Sequence, residues 1–335
     1  MGTNEAVIGI DVSKDSLEVA VVEKLSQKIL GTHSYPNTQV GFKELCSYVR
    51  SKAKRYNLLF VLEATGVYHE NLVDYLYTQG EQISVVLPTK IKNYTKVENI
   101  KTKNDKVDAR VIARYGCIFP QRLWKPMTSN LMKLRALSRQ IIHMKKDRAR
   151  CKAKIATLSF SDRTPKAILE YEREHCEFLS DSIEALEFEL KKLAFEDEEF
   201  KSKIKKVATI KGISDLVAIQ LVAELNGFEL IENGKQLTSY AGLDVVERQS
   251  GTFVGKTKIS KKGNRYIRHL LYMPAMVAAT HGEGKFVELY QRVNQRNEGE
   301  SKNIGMIAVV RKLLIMVYTI WRKNEVYDPN FQAIS

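Results

Sequence analysis

Val7-Ile8-Gly9-Ile10-Asp11-Val12-Ser13-Lys14-Asp15-Ser16-Leu17-Glu18-Val19-Ala20-Val21-Val22 places two apolar, β-rich runs on either side of a Ser-Lys-Asp turn. Runs of this composition around a short polar turn read as a β-hairpin. The first run closes on an acid, Asp11. A third run, Leu58 to Glu63, also closes on an acid and passes through Ala64-Thr65-Gly66 into a helical stretch. Further β-like runs lie at 27–30 and 83–87, and amphipathic helices are expected around Phe42 to Arg55 and Tyr68 to Gln79. Hairpin strands followed by β-α alternation predict a mixed α/β sheet with helices on its faces. Pro120 and Pro126 then mark a boundary.

Two more acids, Asp105 and Asp108, follow Asn104 three residues apart at the start of a predicted helix, so they share one face. Taken singly, an acid after a strand is an ordinary turn residue, and acids at a helix start complement its dipole. As a set at strand ends and a helix start, Asp11, Glu63, Asp105 and Asp108 stand out. Carboxylates that converge repel one another unless a cation sits between them. Hard oxygen ligands suit Mg²⁺ or Mn²⁺, and a metal pair so held can stabilise both oxygens of a phosphodiester exchange.

The chain has 335 residues, 44% of them hydrophobic, enough for two or three domains with proper cores. Its net charge of +14 points to a polyanionic partner, with nucleic acid favoured over a membrane surface because the basic residues cluster. The N-terminus has no signal-peptide pattern and no myristoylation pattern. Ile304 to Trp321, the most apolar segment, is interrupted by Arg311 and Lys312 and is read as too short and too charged to span a bilayer. Cys46, Cys117, Cys151 and Cys176 show neither the paired spacing of a zinc motif nor a disulfide framework. A cytoplasmic protein is expected.

Between Gly116 and Gly212 there is no glycine, which predicts long helices. Leu134, Leu137, Ile141, Met144, Arg148, Cys151, Ile155 and Leu158 form a heptad seam with one charged intruder. After 161–165 a second seam runs through Cys176, Leu179, Ile183, Leu186, Leu190 and Leu193. This predicts a helical coiled-coil hairpin over 126–205, its partner being either its own neighbour or another copy. From about 206 the chain is mainly α and basic. Ile210-Lys211-Gly212-Ile213-Ser214 before an apolar helix has the turn of a helix-hairpin-helix element, whose backbone N–H groups can hold a phosphate. Lys256, Lys258, Lys261, Lys262, Arg265 and Arg268 crowd a glycine-flanked stretch suited to phosphate-backbone contact.

Gly9-Ile10-Asp11-Val12-Ser13-Lys14, Glu63-Ala64-Thr65-Gly66 and Asn104-Asp105-Lys106-Val107-Asp108-Ala109-Arg110 are followed, in order, by Tyr240-Ala241-Gly242-Leu243, Ser250-Gly251 and Ile259-Ser260-Lys261-Lys262-Gly263-Asn264. The ordered set resembles the IS110 family of insertion-sequence transposases, the DEDD recombinases, over nearly the whole chain. The resemblance implies a RuvC-like, ribonuclease-H-type domain at 1–125, in which Asp11, Glu63, Asp105 and Asp108 bind Mg²⁺. It also implies a helical transposase domain at 206–335 that supplies a nucleophilic serine, which maps onto Ser250. By the same resemblance, the partners are donor and target DNA, a bridge RNA that pairs with both, and further copies of the chain in a homo-tetramer, while the heptad helices predict assembly from dimer to tetramer.

A serine hydroxyl is a weak nucleophile until a base or a metal activates it, and no His lies close to Ser250 in sequence. Two other readings accompany the recombinase. One is a nuclease of the Holliday-junction-resolvase type that uses the four acids without a serine. The other is a non-catalytic nucleic-acid-binding protein, which four clustered carboxylates would handicap in the absence of metal.

Overall fold

The computed structural model describes residues 5–64, 67–100, 104–229, 231–246, 249–250, 253–254, 258–282, 284–296 and 302–328. The chain divides into two compact units, Met1–Pro126 and Met127–Ser335.

The first unit runs β1 (Glu5–Val12), β2 (Ser16–Glu23), β3 (Ile29–Pro36), α1 (Gln39–Lys52), β4 (Asn57–Glu63), α2 (Glu70–Thr78), β5 (Gln82–Val86), α3 (Pro88–Val97) and α4 (Asp105–Ile118). Its five strands lie in the order β3-β2-β1-β4-β5. β1, β2 and β3 pair antiparallel, whereas β1–β4 and β4–β5 pair parallel. The expected hairpin is present, since Val12 lies opposite Leu17 and the turn spans 13–15. Alternation along β1 separates two cores. Ile8 and Ile10 face α1 and α2, packing with Phe42, Leu45, Leu72 and Leu76. Val7 faces the other way, with Val61, Val111 and Ile112. Helix α3 was not predicted. It begins at Pro88, whose fixed φ favours a first helical position, but its short stretch carries only two buried residues, Ile91 and Tyr94, and so little apolar periodicity.

The second unit runs α5 (Ser129–Leu158), α6 (Lys166–Ala194), α7 (Glu198–Val207), α8 (Asp215–Glu224), α9 (Gly234–Tyr240), β6 (Val245–Val246), β7 (Gln249–Ser250), β8 (Phe253–Val254), β9 (Lys258–Ile259), α10 (Arg265–His281), α11 (Lys285–Arg296) and α12 (Lys302–Lys323). Helices α5 and α6 pack antiparallel: Lys145 pairs with Glu187 at 2.6 Å, and Lys154 with Glu172 nearer the turn. The partner of α5 is therefore its own neighbour. The pair does not stand apart, because Leu134, Ile141, Ile183 and Leu190 share one core with Ile219, Leu271 and Leu313 from the helices that follow.

The reading of 304–321 as too short and too charged needs correction, since Asn303–Lys323 is long and apolar enough to cross a membrane by length and composition. Here it is a core helix. Val309, Val310, Leu313, Leu314 and Val317 are buried in the second unit, and Arg311 and Lys312 occupy half-exposed positions between them.

Candidate active site

Strands β1 and β4 run parallel with Ile10 beside Leu62, so the next residues, Asp11 and Glu63, fall side by side at the carboxyl ends of neighbouring strands and on one face. Helix α4 crosses that face at backbone contact. A Cβ on Gly9 would stand 2.2 Å from the Ala109 carbonyl oxygen and 2.3 Å from the Ala113 nitrogen. One on Gly116 would stand 2.7 Å from Val7 Cγ1 and 2.8 Å from Val61 Cγ2. Small residues on both sides thus let the helix sit low enough to bring its first turn to Asp11. Asn104 fixes where that turn begins, its side chain accepting from the Val107 N–H at 2.9 Å, and Asp105 and Asp108 both lie within the turn.

Carboxylate oxygens of Asp11, Asp105 and Asp108 come within 4.8 Å of one another. Burial, followed by the negative charges of Asp108, Asp105 and Glu63, pushes the Asp11 carboxyl up from 3.8 to about 6, while a backbone hydrogen bond at Val12 opposes the rise. Glu63 is thus close enough to be felt at Asp11. Such a cluster fits a divalent cation on two counts. Every donor is a hard oxygen, and the repulsion that raises Asp11 is what a cation between the carboxylates relieves. Thr65 and Gly66 of the Glu63 motif lie outside the described residues.

The region around Ser250 contains a β element that the reading of a mainly α domain did not foresee. β6 pairs antiparallel with β9, Val245 opposite Ile259, and β7 with β8, Ser250 opposite Phe253. The second ladder lies between the strands of the first in sequence, a nested arrangement termed the arm, and Ser250 belongs to the inner ladder. Gly251 and Lys256 lie outside the described residues.

The two flanking motifs tie the base of the arm together. Lys261 N–H donates to the Gly242 carbonyl at 3.1 Å, Asn264 N–H to that of Tyr240 at 2.8 Å, and Ser260 N–H to that of Asp244 at 2.9 Å. A Cβ on Gly263 would stand 2.4 Å from the Gly242 nitrogen, so no other residue fits that contact. Beneath them sits Glu224, fully buried, which accepts from Arg139 Nε at 2.8 Å, Arg139 Nη2 at 3.1 Å and Asn264 Nδ2 at 2.7 Å. Neither Glu224 nor Arg139 was singled out from the sequence. The available signal was a lone acid in the apolar run Leu216 to Leu225, because a carboxylate is buried only when paired.

Lys211, Lys258, Lys261, Lys262 and Arg265 are exposed. Arg265 lies over the Tyr266 ring, 5.1 Å from its centroid. Arg268 is partly engaged within the fold, its Nη1 donating to the carbonyls of Ala241 at 2.7 Å and Gly263 at 3.3 Å. Gly212 has φ +97°, and the Pro274 carbonyl oxygen would stand 2.7 Å from its Cβ, so packing alone requires glycine there. The α8 start that follows carries Asp215, paired with Lys205 at 2.5 Å.

Residues 8–158 match a family described as Transposase, and residues 204–291 match the Transposase IS116/IS110/IS902 family. The chain is similar to the pilin gene-inverting protein of Moraxella bovis, 30% identical over 97% of the chain and 98% of that protein. It is similar at 22% identity to the transposase for insertion sequence element IS1111A of Coxiella burnetii, over 96% of the chain and 91% of that protein. Among solved structures, T. thermophilus RuvC in complex with a Holliday junction substrate covers 36% of this chain and 99% of its own, at 13% identity and a TM-score of 0.28.

Proposed function

The chain belongs to the IS116/IS110/IS902 transposase family and is a DNA strand-exchange enzyme, and on that premise we propose the chemistry its residues perform. The first unit is a RuvC-like catalytic domain in which Asp11, Glu63, Asp105 and Asp108 hold Mg²⁺ or Mn²⁺. The observation that carries this reading is the convergence of Asp11, Asp105 and Asp108 to within 4.8 Å. The bound metal supplies Lewis-acid stabilisation of charge on the scissile phosphate. Ser250 supplies the nucleophile. Its Oγ gives up a proton and bonds to phosphorus, the bond to one sugar oxygen breaks, and that oxygen leaves as a hydroxyl. The phosphoserine ester keeps the energy of the broken bond, so the strands rejoin without ATP. Support for the serine comes from its place in the inner ladder of the arm, whose base is cross-tied.

Lys211, Lys256, Lys258, Lys261, Lys262, Arg265 and Arg268, with the Gly212 backbone, hold phosphates of donor and target DNA. We assign sequence reading to a bridge RNA, because the chain is strongly basic and no compact base-reading module occurs among the described residues. The enzyme works in the cytoplasm as a dimer or tetramer. Assembly is supported by aromatic side chains that α6 leaves exposed, Tyr171, Phe178 and Phe188.

A denaturing gel of the cleavage reaction tests the serine. Wild-type protein is expected to carry DNA covalently in Mg²⁺, and Ser250→Ala to lose that species while still binding DNA. Strand cleavage by the Ala variant at the wild-type rate, with no attached species in either protein, would establish a resolvase-type nuclease that uses water.

A further inference from the structure

The pairing of α5 with α6 brings three metal-binding side chains together, with a fourth nearby, outside every motif read from the sequence. Cys151 lies at a buried seam position of α5. Its Sγ sits 3.2 Å from the Glu172 carbonyl oxygen and 3.7 Å from Glu172 Oε2. Donor atoms of Cys151, Glu172 and His175 lie within 4.8 Å of one another. Burial pushes the Cys151 thiol pKa up, and Cys176, one turn along α6 from Glu172, lies near enough to that thiol to add to the rise. On α6, His175 and Cys176 follow Glu172 by three and four residues, one helical turn along from it.

We propose that this cluster is a binding site for a borderline-soft divalent cation, Zn²⁺, held by the Cys151 and Cys176 thiolates, the His175 imidazole and Glu172 Oε2. Two thiolates and an imidazole choose Zn²⁺ over Mg²⁺, the reverse of the all-oxygen set in the first unit. The charges also close. Two thiolates and a carboxylate outweigh Zn²⁺ by one negative charge, and Lys154, bonded to Glu172 Oε1, supplies the positive one. That bond leaves Oε2 for the metal and holds the carboxylate in place, as outer-sphere partners of metal ligands do. His175 is exposed, which gives the ion a way in, whereas Cys151 and Glu172 are buried. On binding, both thiols release their protons to solvent. The ion would then clamp the two long helices where the seam turns polar.

The test uses the full-length chain, stripped of metal under reducing conditions and titrated with Co²⁺. One equivalent per chain is expected to give the visible bands of a tetrahedral site together with a thiolate-to-cobalt charge-transfer band. One equivalent of Zn²⁺ should displace the colour and raise the unfolding temperature of the metal-free protein. Cys176→Ser, a near-isosteric change at a half-exposed position, should lose the charge-transfer intensity with its helical circular dichroism unchanged, and His175→Ala should weaken Co²⁺ binding at least ~10-fold. Asp11→Asn should keep the band, because carboxylate sites give none. Absence of the band at one equivalent overturns the proposal. So does its survival in Cys151→Ser/Cys176→Ser, which would place the metal on other thiols, or the disappearance of both thiols into a disulfide that takes up no metal.

Discussion

Asp11 concentrates the electrostatics of the first unit in one titration. Its carboxyl is raised from 3.8 to about 6, so the folded state holds that proton more tightly than the unfolded chain. The sign follows from linkage: this group favours folding at low pH, and the contribution is lost as pH rises from about 4 to about 6. Metal-free protein should therefore lose stability across that window, and a divalent cation should restore it. Asp11→Asn should make the metal-free protein more stable by about 1 kcal/mol near neutral pH, after discounting for partial solvent screening. The same variant should lose DNA cleavage altogether. Thermal melts against pH, with and without Mn²⁺, read both effects, and a variant that melts lower than wild type without metal would refute the assigned repulsion. At limiting Mg²⁺ cleavage should fall below about pH 6, where protons compete with the cation for Asp11, and saturating Mg²⁺ should move that fall to lower pH.

At the scale of elements, the acidic cluster depends on how closely α4 approaches β1. Gly9→Ala puts a methyl group 2.2 Å from a helix carbonyl oxygen, which is backbone and cannot rotate away. We expect a cost of about 3 kcal/mol and loss of the metal site, because any shift that frees the methyl lifts Asp105 and Asp108 from Asp11. Denaturant unfolding and Mn²⁺ titration measure the two effects, and wild-type Mn²⁺ affinity in a folded Gly9→Ala protein would sever the link between them. In the second unit the comparable support is Glu224. Glu224→Gln weakens its bonds to Arg139 and should cost about 2 kcal/mol, with covalent attachment slowed as the base of the arm loosens. The seams of α5 and α6 call for a different experiment than heptads alone suggest. Ile141 is buried in the core of its own chain, so Ile141→Asp should unfold the second unit rather than separate copies. Tyr171→Ser/Phe178→Ser on the exposed side of α6 is the variant expected to lower the mass in solution while keeping the fold.

For the whole molecule, the surplus of +14 exceeds what one short duplex contact needs. Charge of this kind holds backbones without reading sequence. Protein stripped of nucleic acid should therefore recombine donor and target only when RNA from the element's non-coding end is added. Site-specific recombination by the RNA-free protein would return sequence reading to the protein.

The sequence by itself determined the β1–β2 hairpin, the strand ends that carry Asp11 and Glu63, and the helix start that carries Asp105 and Asp108. Apolar runs, turn residues and caps are local signals, and each sits within a few residues of what it specifies. It also determined two long helices, through the heptad spacing of Leu134 to Leu158 and Cys176 to Leu193. Only the tertiary structure decided the rest. The convergence of the acids depends on the parallel register of β1 and β4 and on the fit of Ala109, Ala113 and Gly116 against that sheet face, contacts between residues far apart in the chain. The arm was hidden because its strands are two residues long, too short for alternation to show. Glu224 reads as an odd acid in an apolar run until Arg139 and Asn264 arrive from distant helices to satisfy it. The cysteines make the same point. Along the chain Cys151 and Cys176 have no motif spacing, yet antiparallel packing of two helices gathers Cys151 with Glu172 and His175, because a fold brings side chains together by face and register rather than by distance in sequence.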